Sequence, residues 1–103
     1  MSEPHFTIGQ IVHHRRFDYR GVIIDIDLAF AHTVDWYDLM AKSEPDKDQP
    51  WYRVLVHLSD HETYVAQSNL EPDLSGEPIV HPRIDEAFDE WVDGYYARTR
   101  NLS

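Results

Sequence analysis

Two β-branched runs open the chain, at residues 8–12 and 22–26, joined by a polar, aromatic and basic connector that ends at Gly21. In the second run Val22, Ile24 and Ile26 alternate with Ile23, Asp25 and Asp27, the period of a strand half buried in a sheet. Gly9 and Gly21 each stand near the start of a run, the place for a bulge or a positive-φ turn. The stretch therefore reads as an opening hairpin. Thr33 then caps a predicted short helix in which Trp36, Tyr37 and Met40 share a face. Residues 41–50 are polar, broken by Pro45 and Pro50, and predict a mobile loop. Residues 51–58 and 63–67 are the next strands, with Tyr52, Val54, Val56 and Leu58 on one face and Arg53, Leu55 and His57 on the other. Residues 69–72 read as a turn and Ile79 with Val80 as a short closing strand.

The tail has another rhythm. Ile84, Phe88, Trp91, Val92, Tyr95 and Tyr96 follow helical spacing, with Asp85, Glu86, Asp89, Glu90 and Asp93 on the opposite face. Pro82 suits its first turn and Arg98 and Arg100 its last, while Gly94 weakens it by about 1 kcal/mol. The expected fold is mainly β: a small SH3-like β-barrel of about five strands over residues 1–83, with the loop around 41–50. A C-terminal amphipathic helix over 84–103 then packs on the barrel or on a neighbouring subunit.

Charge changes this picture more than size does. The 103 residues carry 19 acids against 9 bases, a formal charge of −10, which repels polyanions at long range. The first hairpin is the exception, with Arg15, Arg16 and Arg20 against Asp18 alone. A nucleic-acid surface would accordingly use His13, His14, Arg15, Arg16, Tyr19 and Arg20, arginines neutralising phosphate while aromatic rings stack on bases. The competing reading pairs these arginines with Asp18 and Asp25 on the chain's own surface. For a protein partner the candidate anchors are Trp36, Tyr37, Trp51, Tyr52, Trp91 and Tyr95, with core filling as the alternative for Trp51 and Tyr52. A homo-oligomer, dimer or trimer, could be built on such aromatics.

Cysteine is absent, which excludes disulfides, thiolate metal sites and a cysteine nucleophile. With neither a leader-like N-terminus nor an apolar run of membrane-spanning length, a soluble intracellular protein is expected, without membrane contact. Catalytic groupings are poor. His13 and His14 are adjacent and so face opposite sides of a strand, and His57 and His61 are four apart but the second falls in a turn. Asp25 and Asp27 share a strand face, where a solvated edge or a pairing with Arg20 or Arg53 is favoured over acid/base or cation chemistry. No phosphate loop or nucleophile elbow accompanies them. The expectation is a non-enzymatic protein with no metal and no cofactor.

Several segments, in order and spacing, resemble the YccV-like family. They are residues 9–14, 19–23 and 25–27, Trp36-Tyr37, residues 48–52, Tyr64-Val65, Asn69-Leu70, residues 76–78 and His81-Pro82, within a similarity spanning residues 6–88. Gln67 stands where related sequences more often carry Glu. The family includes the bacterial heat-shock protein HspQ and is also named for binding hemimethylated DNA. The resemblance implies a small β-barrel and a cytoplasmic stress-response role: binding client proteins or an ATP-dependent protease to promote degradation of denatured or regulatory proteins. Its alternative implication is hemimethylated DNA bound at the basic first hairpin.

Overall fold

Residues 3–32, 37 and 45–98 are described by the structure, a computed structural model. Five strands, β1 (Ile11–His14), β2 (Arg20–Asp27), β3 (Trp51–Val56), β4 (Glu62–Ala66) and β5 (Leu70–Pro72), form one antiparallel sheet in the order β4-β3-β2-β1-β5. Phe6, Val12, Ile23, Tyr52, Val54, Val65 and Leu70 form one buried apolar cluster. Val65 and Leu70 lie on opposite edge strands, which a flat sheet would hold about 19 Å apart at its usual strand spacing. They meet in one cluster because the sheet curls. No strand ladder among the described residues pairs β4 with β5, so the sheet is not closed into the expected barrel; the 3-10 turn Gln67–Asn69 joins these edges instead.

The opposite face is buried as well, by Ile11, Val22, Leu55, Ile79, Phe88 and Tyr96. That is why Val22 and Ile23, neighbours on β2, are both fully buried. A register shift between Ile23 and Asp25 then reverses the alternation, returning Ile26 to the side of Ile23. Gly21 is not a positive-φ residue; it supplies room, since a Cβ there would lie 2.6 Å from the Leu55 carbonyl oxygen.

Two elements take a form that the local sequence does not suggest. Residues 70–72, expected as part of a turn, are β5, paired with β1 through Val12–Pro72, His13–Glu71 and His14–Leu70. Ile79 and Val80 form no strand: the Ile79 N–H donates to the Tyr96 hydroxyl, and the Val80 carbonyl accepts from Leu58. The expected helix at residues 33–40 and the loop at 41–44 lie outside the described residues, Tyr37 excepted. Within the described part of that loop, Gln49 and Pro50 are buried, and Gln49 accepts from the Ser68 N–H.

The largest correction is the tail. Among the described residues of the tail only α1 (Ile84–Ala87) is helical; beyond it the chain forms a hairpin of β6 (Glu90–Val92) and β7 (Tyr95–Ala97). The helix ends at Phe88, whose backbone is extended, and the turn Asp93-Gly94, with the φ values of 51° and 87° of a type I′ hairpin, then reverses the chain where a right-handed helix would have had to continue. The hairpin is sewn to the body at Gly9. There φ is 91°, the Tyr96 N–H donates to the Gly9 carbonyl at 2.9 Å, and the Gly9 N–H donates to Ile23 at 2.8 Å.

Candidate functional site

The β1–β2 connector turns at residues 15–17 around His14, which is buried. His14 Nδ1 accepts the backbone N–H groups of Arg16 and Phe17, so its proton sits on Nε2. Burial, then the nearby His13 and Arg16, lowers its pKa, and the neutral ring stacks on Phe17 with a centroid separation of 4.8 Å. It shapes the turn and is not presented to a ligand. Tyr19 is likewise withdrawn: it packs on the first apolar cluster and its hydroxyl shares a hydrogen bond with Thr63.

His13 points elsewhere, with Nε2 2.6 Å from Asp18 and Nδ1 2.9 Å from Glu71. The hydrogen bond to Asp18, helped by that to Glu71, raises its pKa against the opposing effect of desolvation. The ring, with a carboxylate at each nitrogen, thus bridges the connector to β5. Arg20 is also committed: Nε donates to Asp73 at 3.1 Å and a terminal nitrogen to the Glu77 carbonyl at 2.6 Å, with both ionic side chains mostly buried. Its partner is therefore neither Asp18 nor Asp25. Arg15 and Arg16 remain exposed beside Phe17, itself 58% exposed. Of the six residues expected at a nucleic-acid surface, only these two arginines are exposed, with Arg15 Nε donating to the Leu70 carbonyl at 3.3 Å and lying 3.9 Å from Glu71, and His13 is partly exposed.

The expected protein-partner aromatics divide similarly. Trp51 and Tyr52 are buried, Tyr52 donating to Gln67 Oε1. Gln67 also accepts from the His5 N–H and donates from Nε2 to the Glu3 carbonyl, a donation an ionised glutamate could not make. Tyr37 is half-buried, its hydroxyl donating to the Pro45 carbonyl, and Trp36 lies outside the described residues. Trp51 stacks on Tyr64, whose hydroxyl donates to Asp27; burial and that carboxylate raise the Tyr64 pKa strongly.

Trp91 and Tyr95 stand out at 38% and 50% exposed, together with Val92 at 48%, a residue that the helical spacing placed on an apolar face. Trp91 leans on Tyr96, which stacks on Phe88, and these three rings with Ile84 wall a cleft of about 330 Å³. Asp85, Asp89 and Glu90 line the same cleft, and Asp93 is exposed at the hairpin turn. The signal that could have revealed this surface is Asp93-Gly94 between apolar pairs, a hairpin marker.

The remaining polar groupings are local. His57 Nδ1 accepts the Val80 N–H, Asp25 accepts its neighbour's N–H from Ile26, and among the described residues no three histidine or acidic side chains gather to hold a metal ion. Among the described residues no helix is long and apolar enough to cross a membrane.

Among the described residues, a curled five-stranded antiparallel sheet with an appended hairpin and little helix defines a small, mainly β domain. The chain belongs to the YccV-like family: residues 4–95 match the family model described as hemimethylated DNA-binding protein YccV like. The match runs past Phe88 to Tyr95, and so takes in most of the C-terminal hairpin.

Proposed function

We propose that this is a non-enzymatic, cytoplasmic stress-response accessory protein that binds client polypeptides or an ATP-dependent protease and promotes degradation of denatured or regulatory proteins. In this reading it acts as a dimer or trimer. The observation that carries the proposal is the exposed Trp91, Val92 and Tyr95 on one hairpin of a domain whose charge is −10. Aromatic side chains half out of water on an acidic body suit capture of other polypeptides better than polyanions. The test times the degradation of a denatured client by its protease with and without the protein. Acceleration that falls with Tyr95→Ser supports the reading, and identical rates with and without the protein sink it.

A second reading, hemimethylated DNA bound at the β1–β2 turn, is favoured by the family's description and by the exposure of Arg15, Arg16 and Phe17. Two phosphate contacts give a log–log salt slope of only about −1.8 per chain, at roughly 0.9 per phosphate. Titration of hemimethylated against fully methylated duplex at low salt decides it. Binding should vanish in the Arg15→Ala, Arg16→Ala double variant, and undiminished binding there removes this reading.

A further inference from the structure

β6 is an open edge. Among the described residues it pairs only with β7, in the register Glu90–Ala97, Trp91–Tyr96, Val92–Tyr95. The Tyr96 N–H points away from β6, to Gly9, which marks Trp91–Tyr96 as a non-hydrogen-bonded pair. The backbone N–H and carbonyl of Trp91 are therefore turned outward, as a template for another strand. β6 is short, three residues with Glu90 as its one charge, and carries neither lysine nor proline. On one side of the edge lies the cleft walled by Ile84, Phe88, Trp91 and Tyr96; on the other are the exposed Val92 and Tyr95.

Charge selects the occupant. Asp85, Glu90 and Asp93 are exposed around this edge, and the exposed Arg98, the cation described beside it, is engaged through Nε with the Ala87 carbonyl and lies over the Phe88 ring. A second copy of the chain pairing edge to edge would bring two such acidic sets together, which like-charge repulsion opposes. We infer that β6 takes up an extended segment of another polypeptide, alternating basic with aliphatic or aromatic residues, as an added strand. Main-chain hydrogen bonds to Trp91 supply the pairing, lysine or arginine on one face of the added strand meets Asp85 and Glu90 at the cleft, and the alternate apolar side chains lie against Val92 and Tyr95 on the other. This rests on the polypeptide-binding reading above and names the chemistry of the segment bound.

Fluorescence anisotropy on the full chain tests it with three labelled nonapeptides. One alternates Lys or Arg with Val or Leu; the second replaces every base with Glu; the third is the basic peptide N-methylated at alternate residues, which removes the ladder donors. The basic peptide should bind, the other two at least about tenfold more weakly, and Glu90→Lys should weaken the first while leaving the circular dichroism spectrum unchanged. Equal binding of the acidic or the N-methylated peptide overturns the inference, as does an unaffected Glu90→Lys variant. Sedimentation showing that copies associate through this face, with Tyr95→Ser releasing monomers, overturns it too. Should client degradation be accelerated without peptide binding, this surface is wrong and the proposed function stands. Peptide binding without acceleration means the converse: the surface stands and the degradation role falls.

Discussion

Replacing Gly9 by Ala should detach the C-terminal hairpin from the sheet. A Cβ at this position would sit 1.9 Å from the Tyr96 carbonyl oxygen, backbone that has no rotamer in which to escape. The residue also holds φ at 91°, where a side chain costs about 1–2 kcal/mol even without a clash. If the hairpin lifts to relieve the contact, the Tyr96-to-Gly9 hydrogen bond is lost, worth about 1 kcal/mol net. Tyr96, now 8% exposed, then gives up much of a burial worth about 1.5–3 kcal/mol for a large apolar side chain. The sum is a loss of roughly 4–6 kcal/mol, comparable to the whole stability of a marginal domain. Urea denaturation would measure the global change, and amide exchange at Tyr96 would report the hairpin separately. A midpoint close to that of the unaltered chain, with the Tyr96 amide still protected, would refute the packing described here.

Gly94→Ala offers a contrast, because its φ of 87° carries strain but no atom lies within 4 Å of the added Cβ; it should cost about 1–2 kcal/mol, read as faster amide exchange in the hairpin with little change elsewhere. Arg20→Ala should lose about 1–3 kcal/mol in urea melts while leaving any DNA affinity unchanged, since its mostly buried guanidinium serves Asp73 and Glu77. Burial pushes the Asp73 carboxyl up, but Ser75 and Arg20 outweigh it and hold the group below its ordinary value. Its contribution is thus present above the unfolded pKa of about 3.9 and is lost as pH falls through the lower folded value. His13 runs the other way: its raised pKa gives stability that is full below about pH 6.5 and lost as pH rises through the folded value. A His13→Gln variant should therefore match the unaltered chain best at alkaline pH in paired urea melts, and a ring titrating below the ordinary histidine value by NMR would contradict the bridge.

How much of this was legible in the sequence depended on the range of the interactions. The strands at residues 20–27 and 51–56 announced themselves because alternation there is a local consequence of the pleat. Gly9 was marked as a special backbone position, but its reason, the approach of Tyr96, comes from the far end of the chain. The second buried face was hidden for the same cause: Val22 and Leu55 share it with Ile79, Phe88 and Tyr96, all from the last quarter of the chain. In the tail two local signals competed. Apolar residues at 84, 88, 91, 92, 95 and 96 fit a helical stripe, yet Asp93-Gly94 is hairpin chemistry, and the turn prevailed because Tyr96 gains a buried site against Phe88 only in the hairpin. Pro72 suggested a turn, although proline is tolerated at the end of an edge strand such as β5. At the basic connector, the three arginines were visible but not their fates. Asp73, which claims Arg20, lies 53 residues away, and no local pattern announces it.

The most direct test of the account is an NMR titration of the isotopically labelled chain with the unlabelled basic and apolar nonapeptide. Amide shifts concentrated at Glu90, Trp91, Val92 and Tyr95, with residues 15–17 unmoved, are the predicted outcome. Shifts confined to the β1–β2 turn, or none at saturating peptide, would contradict the assignment of the binding face to the C-terminal hairpin.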